Sequence, residues 1–334
     1  MGVQLGELVE GREIAIEELF DKRISIDSFN WLYQFLTIIR QKDGQPLQDS
    51  QGRTTSHLSG LFYRSLKLME ANVKPVYVFD GPPPAFKKDT NQQRKDIRLE
   101  AKKEWELALE RKDYEEARKY AQRSAMVTEE IINDSKELLS AMGIPVIQSS
   151  SEGEALCSIM VRNNDVYAAA TQDYDSLLFG CHRLIRNLSI TGKKKRGNSY
   201  IIINPEIILL KDFLSKLEIT QDQLITLGIL VGTDYNPGGI KGIGPKKALD
   251  LVKKKSTEEI IKEIVWDFPA SFEEIFEFLK NPPVTDYKIK FNPPDKEKIK
   301  RILCDEHDFS EERIDSGLEK ISQEKKQKSL HKFF

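Results

Sequence analysis

The chain has 334 residues, 39% of them hydrophobic and 31% charged, with 51 Lys and Arg against 53 Asp and Glu for a formal net charge of −2. That length allows one large domain or two ordinary ones at roughly 100–200 residues each, and the apolar share supports a sizeable core, which excludes a disordered chain. No apolar run reaches the ~18 residues of a membrane span, the start MGVQLGELVEGRE lacks a signal core, and the scattered Cys157, Cys181 and Cys304 form neither a disulfide framework nor a zinc ribbon, so the expectation is a soluble intracellular protein in a reducing compartment.

Taken in chain order, Arg23–Asp27 (RISID) predicts a strand and the stretch up to Arg40 a helix. Gln41–Arg53 is polar and turn-rich. Thr55–Ala71 predicts a helix, and Pro75–Phe79 (PVYVF) a buried strand. A long charged segment runs from about Lys87 to Arg123. Met126–Met142 predicts a helix stopped by Gly143, a residue suited to the position after a helix end. Ile144–Ile147 and Val166–Ala170 predict strands, and Arg183–Leu188 with Ser199–Ile203 a strand pair joined by a basic loop that contains Lys193–Arg196. From Asn204 the pattern is mostly helical, with Asn204–Pro205 read as an N-cap and first helical residue. Thr220-x-x-Gln223 and Ser256-x-x-Glu259 read as capping boxes.

Strands alternating with helices imply βαβ units, hence an α/β fold with a mostly parallel central sheet flanked by helices. The expected organisation is one body over residues 1–321. It comprises an N-terminal region to about residue 100, the charged segment at about 87–123, an internal region at about 124–255 and a helical remainder. Residues 322–334, polar and Lys-rich, read as a flexible tail.

Acids cluster after the apolar runs. Asp27 ends RISID, Asp80 follows PVYVF, and Asp173 and Asp175 follow VYAAATQ. Glu152 and Glu154 lie just past the strand around Pro145–Ile147, and Asp234 follows an apolar run in LVGTDYN. Ligands of open parallel sheets collect beyond the carboxyl ends of the strands, so residues far apart in sequence can converge there. An Asp after a strand is ordinarily a helix cap or turn residue. Several at one edge would repel one another unless cations neutralise them. Hard oxygen donors suit Mg²⁺ or Mn²⁺. Seven carboxylates leave a surplus of negative charge even with two divalent ions, the arrangement used for phosphodiester hydrolysis. With those seven set aside, 51 basic residues face 46 acidic ones, so the remaining surface is mildly basic.

The segments ISIDSFNWLYQFL, TTSHLSGLFYR, KPVYVFDGPPPAFK, MGIPVIQSSSEGEA, YAAATQDYDSLLFG and GTDYNPGGIKGIGPKKA closely resemble the flap endonucleases of the XPG-type 5′-nuclease family. The resemblance runs over nearly the whole chain and is archaeal-like in its compact length. It implies a nuclease core with a helical arch and a helix–two-turn–helix DNA element. The implied reaction is structure-specific cleavage of 5′ flaps near the single-strand/double-strand junction, with 5′→3′ exonuclease activity, in Okazaki fragment maturation and long-patch repair. It places two Mg²⁺ ions, with Mn²⁺ as a substitute, on Asp27, Asp80, Glu152, Glu154, Asp173, Asp175 and Asp234. Lys87 and Arg94, seven residues apart and so on one side of a helix, match the family's catalytic cations. Tyr33 matches a residue that stacks on a base near the cut, and Gly2, Arg40 and Arg98 are further DNA contacts by the same resemblance.

Gly239–Lys255 carries six lysines against one aspartate. Gly242 and Gly244 allow close backbone approach, Pro245 suits a first helical turn, and Lys246 and Lys247 open a helix whose free N–H groups favour a phosphate. Such an element grips duplex backbone without reading sequence; the resemblance adds a K⁺ ion there. The end of the chain, with Gln327, Leu330, Phe333 and Phe334, resembles the peptide that docks on replication sliding clamps. The expected partners are therefore branched DNA with a 5′ flap and a PCNA-type sliding clamp, with no membrane, and the chain is expected to be a monomer without the clamp. A cytoplasmic, nucleoid-associated location follows if the source is archaeal. The competing reading is a non-catalytic DNA-junction scaffold recruited by the clamp.

Overall fold

The computed structural model describes residues 2–41, 43–190, 192–196 and 199–320. Five adjacent parallel strands make up most of a seven-stranded sheet: β2 (Arg23–Asp27), β3 (Lys74–Phe79), β4 (Val146–Gln148), β5 (Ala168–Ala170) and β6 (Arg183–Arg186). β9 (Glu206–Leu209) runs antiparallel to β6, and the short β1 (Arg12–Glu13) closes that edge against β9. The order is β1-β9-β6-β5-β2-β3-β4. The chain builds β2, β3 and β4 in one direction and then returns to the other side of β2 for β5 and β6. That reversal opens a crevice at the carboxyl ends of the strands.

Both faces of the sheet are covered, as its apolar strands require. Alternation sets which side chain goes where. Ile24, Ile26, Tyr77, Phe79, Ala168 and Ala170 join one core with α1 (Ser28–Ile38), α2 (Ser56–Glu70) and α5 (Glu129–Ala141). Val76, Val78 and Ala169 face the other way, onto α6 (Gly153–Arg162) through Leu156, Cys157 and Met160. The short α7 (Asp175–Leu178) follows β5.

The charged segment forms a helical hairpin of α3 (Lys88–Glu110) and α4 (Tyr114–Arg123), closed by buried Ala101, Ala108, Ala117 and Ala121. A helical lobe follows the sheet: α8 (Leu210–Leu217), α9 (Gln221–Val231), α10 (Pro245–Lys254), α11 (Thr257–Glu263) and α12 (Phe272–Lys280). It packs against α7 and β9 through Leu177, Leu178, Ile208 and Leu224. Both predicted capping boxes form, on α9 and α11. Residues 281–295 then cross back over the sheet without regular structure to α13 (Lys296–Lys300), which leads into a π-helical turn. Asn292 N–H donates to the Gly143 carbonyl at 3.0 Å. Gly143 has φ +74°, and a Cβ there would lie 2.1 Å from the Asn292 oxygen, so only glycine fits.

The structure corrects three sequence expectations. β6 does not pair with Ser199–Ile203; it pairs with β5 and β9. Ser199–Ile203 is β8, whose partner is β7 (Gly192–Arg196), the segment read as a basic loop. Lysines are common on edge strands, where they discourage further pairing. Asn204–Pro205 does not open a helix: the backbone continues as β9, because Ile207 and Ile208 are buried at the sheet edge, and the helix begins at Leu210. The clamp-like residues Gln327, Leu330, Phe333 and Phe334 lie outside the described residues. Among the described residues no helix is long and apolar enough to cross a membrane.

Candidate active site

The seven acids assemble around the crevice at the carboxyl edge of the sheet, and they reach it from five local structures: the ends of β2 and β3, the start of α6, the turn after β5 and the turn after α9. Asp27 ends β2 and also caps α1, its Oδ1 accepting from Asn30 N–H at 3.1 Å. Asp80 follows β3 and accepts from Gly153 N–H, the first residue of α6, at 2.7 Å. A Cβ on Gly153 would come within 2.7 Å of that carboxylate, so the close approach of α6 depends on the glycine. Glu154 projects from the first turn of α6 and accepts from Ser176 N–H at 3.0 Å and Ser176 Oγ at 2.7 Å. The N-terminal arm supplies two amides: Gly2 N–H to Asp173 at 3.2 Å and Val3 N–H to Asp175 at 2.7 Å. The ordinary role of such acids as caps and turn formers is therefore real here, and it is also what aims them.

Lys87 and Arg94, at the base of the hairpin, enter the same crevice. Lys87 Nζ lies 2.7 Å from Glu152 Oε1 and 3.2 Å from Asp234 Oδ2. Arg94 grips Asp234 in a two-pronged pair, at 2.5 and 3.0 Å, the geometry in which guanidinium binds carboxylate best. Among the described residues no group of three or more His, Cys, Asp or Glu side chains is arranged to hold a metal ion. In this arrangement part of the acids' charge is offset by the two cations.

The electrostatics divide the acids into two sets. Burial, reinforced by the charge of Asp80, pushes Asp27 up to about 8. Burial and Asp234 push Asp175 up to about 7, and burial and Glu152 push Asp80 up to about 6. Glu154 is raised well above the carboxylate range by burial and by Asp175. Asp234 goes the other way: burial would raise it, but Lys87 and Arg94 together hold it low. Lys87 is raised because Glu152 and Asp234 outweigh its own desolvation. Clustered oxygen donors whose carboxyl pKa values are raised for want of positive charge fit hard divalent cations, whose binding favours the deprotonated carboxylates.

The other predicted residues make local contacts of their own. The Arg98 guanidinium carbon lies 4.3 Å from the centre of the Tyr33 ring, and Arg98 donates to the Tyr33 hydroxyl at 2.8 Å. Arg40 is half-buried and donates to the Leu36 and Gly44 carbonyls at 2.6 and 2.8 Å, so it braces the loop after α1. Gly244 caps α10 and Pro245 begins it. Nothing stands within 4 Å of where a Cβ would be on Gly242 or Gly244. Lys246 is 82% exposed and 3.6 Å from Glu7, and Lys247 donates to the Gly242 carbonyl at 3.2 Å.

Four supporting residues escaped the sequence reading. Tyr235 is buried and donates to Glu152 at 3.0 Å, with Lys87 Nζ 5.6 Å from its ring centre. Its ring packs edge-on to Phe86 and Phe278 at 5.4 and 5.2 Å. Asn30 donates to Asp173 at 3.1 Å while its own amide serves Asp27. Thr171 Oγ1 lies 3.4 Å from Asp27, and Ser176 holds Glu154. Tyr235 and Ser176 each directly follow a predicted acid, and that adjacency was the available signal.

The XPG N-terminal domain matches residues 1–101 and the XPG I-region residues 143–234. Flap endonuclease 1 of Thermococcus onnurineus is 56% identical over 324 residues, spanning 96% of this chain and 94% of that protein. This chain belongs to the flap endonuclease family. Flap endonuclease 1 of Pyrococcus furiosus is 54% identical over 342 residues, with 100% and 99% of the two chains covered. Among solved structures, flap endonuclease-1 from Methanococcus jannaschii superposes with a TM-score of 0.76 at 40% identity, covering 96% of this chain and 98% of that one. The catalytic core of Rad2 in complex with DNA substrate, at 24% identity and a TM-score of 0.69, shares the fold.

Proposed function

We propose that the chain is a structure-specific endonuclease that cuts 5′ flaps near the single-strand/double-strand junction, with 5′→3′ exonuclease activity, in Okazaki fragment maturation and long-patch repair. The observation that carries this reading is the convergence of seven acids and two cations on one sheet edge in a member of the flap endonuclease family. Asp27, Asp80, Glu152, Glu154, Asp173, Asp175 and Asp234 would hold two Mg²⁺ ions, or Mn²⁺. Bound there, such ions supply Lewis acidity and an activated water.

The chain's own residues do the rest. Lys87 and Arg94, now engaged with Glu152 and Asp234, would exchange those carboxylates for the scissile phosphate and stabilise the charge that develops on it. Tyr33 offers a flat ring beside the site for base stacking once Arg98 leaves its face. Gly2, Arg40 and Arg98 would line the approach of the strand. Gly242, Gly244, Lys246 and Lys247 present open backbone and lysine to duplex phosphates, with K⁺ as an added bridge. Gln327, Leu330, Phe333 and Phe334 would dock on a PCNA-type sliding clamp.

A clamp-recruited scaffold without catalysis is the weaker reading, since a scaffold gains nothing from burying acids that repel one another. The deciding experiment is digestion of a double-flap substrate carrying a one-nucleotide 3′ overhang, with the product ends mapped. Incision at the junction supports the proposal; binding without incision in Mg²⁺ removes it.

A further inference from the structure

We propose that Arg186 is a positioning residue: it fixes the Asp173–Tyr174–Asp175 turn and thereby sets the affinity of the acidic edge for divalent cations. The inference rests on the reading above, in which these acids hold metal.

Arg186 is the last residue of β6 and lies next to the turn that follows β5. Its guanidinium makes three contacts with one short stretch of chain. It stacks on the Tyr174 ring with its central carbon 4.3 Å from the ring centre. Its NH1 donates to the Tyr174 hydroxyl, and its Nε donates to the Gln172 carbonyl at 3.2 Å. Glu206 on β9, 3.9 Å away, faces the same guanidinium from the sheet edge. Gly6 of the N-terminal arm also lies near Tyr174: a Cβ there would be 3.8 Å from the ring. That arm carries the Gly2 and Val3 amides that donate to Asp173 and Asp175.

Tyr174 is thus the residue between the two acids, gripped by Arg186 and close to the arm that orients both of them. Asp27 and Asp80, by contrast, each accept from an amide in the first turn of a helix, so their placement follows from helix geometry. The stretch around Tyr174 has local bonds of its own, Asp173 N–H to Thr171 Oγ1 at 3.3 Å and Leu177 N–H to the Tyr174 carbonyl at 3.0 Å. Neither holds the Tyr174 side chain, whereas one planar cation grips both that side chain and the Gln172 carbonyl. A lysine carries the charge but not the flat fork that can stack and donate at once. Partners of this kind, one contact removed from a metal, commonly change metal affinity by about 10–100-fold when lost.

The test measures Mn²⁺ binding to the full-length, chelator-stripped protein by electron paramagnetic resonance of free Mn²⁺, with thermal melting in parallel. Arg186→Ala is expected to raise the Mn²⁺ dissociation constant about 10-fold. Arg186→Lys should recover only part of that loss, and Tyr174→Phe, which removes one hydroxyl, should show a smaller one. Asp175→Asn is the reference. If it weakens binding while Arg186→Ala and Tyr174→Phe leave affinity unchanged, the proposal is overturned and the metal site stands. If Asp175→Asn also leaves affinity unchanged, the metal reading itself fails. Full recovery in Arg186→Lys would reduce the residue to a general charge and overturn the positioning role. Should Arg186→Ala melt too low to assay, Tyr174→Phe decides, with unaltered Mn²⁺ affinity counting against the proposal.

Discussion

The acidic edge and the basic turn before α10 solve opposite problems. At the edge, Asp27 and Asp175 are buried, Glu154 is half-buried and Asp80 stands at the rim, and each is aimed by a specific donor. At the turn, Gly242 and Gly244 open onto empty space and Lys246 stands 82% exposed. Bond-breaking needs charges fixed in a dry setting, where geometry decides the outcome and mutual repulsion is the cost. Gripping a duplex backbone needs only accessible positive charge and room for a phosphate. Substitutions at the edge should therefore change rate, and substitutions at the turn should change affinity and its salt dependence.

The largest effect is expected at the edge. Asp175→Ala should lower flap cleavage on the order of 10³-fold or more in Mg²⁺ while flap binding in Ca²⁺ persists. Quantitative gel assays of both quantities check this, and near-normal turnover would remove Asp175 from the metal site. Next comes Lys87→Ala, for which the single-turnover rate should fall about 10²–10³-fold with little change in DNA affinity. Equal losses in both would make Lys87 a DNA contact and blur the division. At the turn, Lys247→Ala should weaken binding equally across sequences and lower the slope of log affinity against log salt by about 1, with the rate at saturating DNA unchanged. A rate defect there would break the comparison from the other side.

The smallest effect is thermodynamic. Asp80, Asp175 and Asp27 are raised from 3.8 to about 6, 7 and 8. A carboxyl raised in the folded state binds more protons there than in the unfolded chain. It stabilises the fold fully below its unfolded value, and that contribution is lost as pH climbs through the folded value. In chelator the melting temperature should accordingly fall between pH 5 and 8.5, on the order of 5 °C. Mg²⁺ should restore more of it at pH 8.5 than at pH 5. A metal-free melting temperature that rises over this range would show that the acids are not held as described.

The acids were legible in the sequence because strand ends of a parallel sheet share one edge, so position along the chain translated into position in space. Lys87 and Arg94 were legible only through the family resemblance, since seven-residue helical spacing alone marks an ordinary solvated face. Asn30 and Thr171 were not, because what makes them matter is a contact with Asp173 or Asp27 that only the folded sheet creates. The misread edge strands have a similar cause. Glu206–Leu209 carries no strong strand pattern of its own and is extended because β6 and β1 offer it partners on both sides. Lys193–Arg196 looked like a loop because lysines usually mark solvent, and β7 is a two-strand ribbon apart from the main sheet.

The edge-on packing of Phe86, Tyr235 and Phe278 has a consequence for product length. Phe86 begins the hairpin beside Lys87, Tyr235 adjoins Asp234, and Phe278 lies on α12, which packs against α9 just ahead of the basic turn. Three rings from three parts of the chain rivet the hairpin base to the lobe that carries the turn. On the proposed function, these rings would fix the span between a duplex held at the turn and a phosphate at the acidic edge, like a ruler, and the fragments released should differ by no more than a nucleotide or so whatever their sequence.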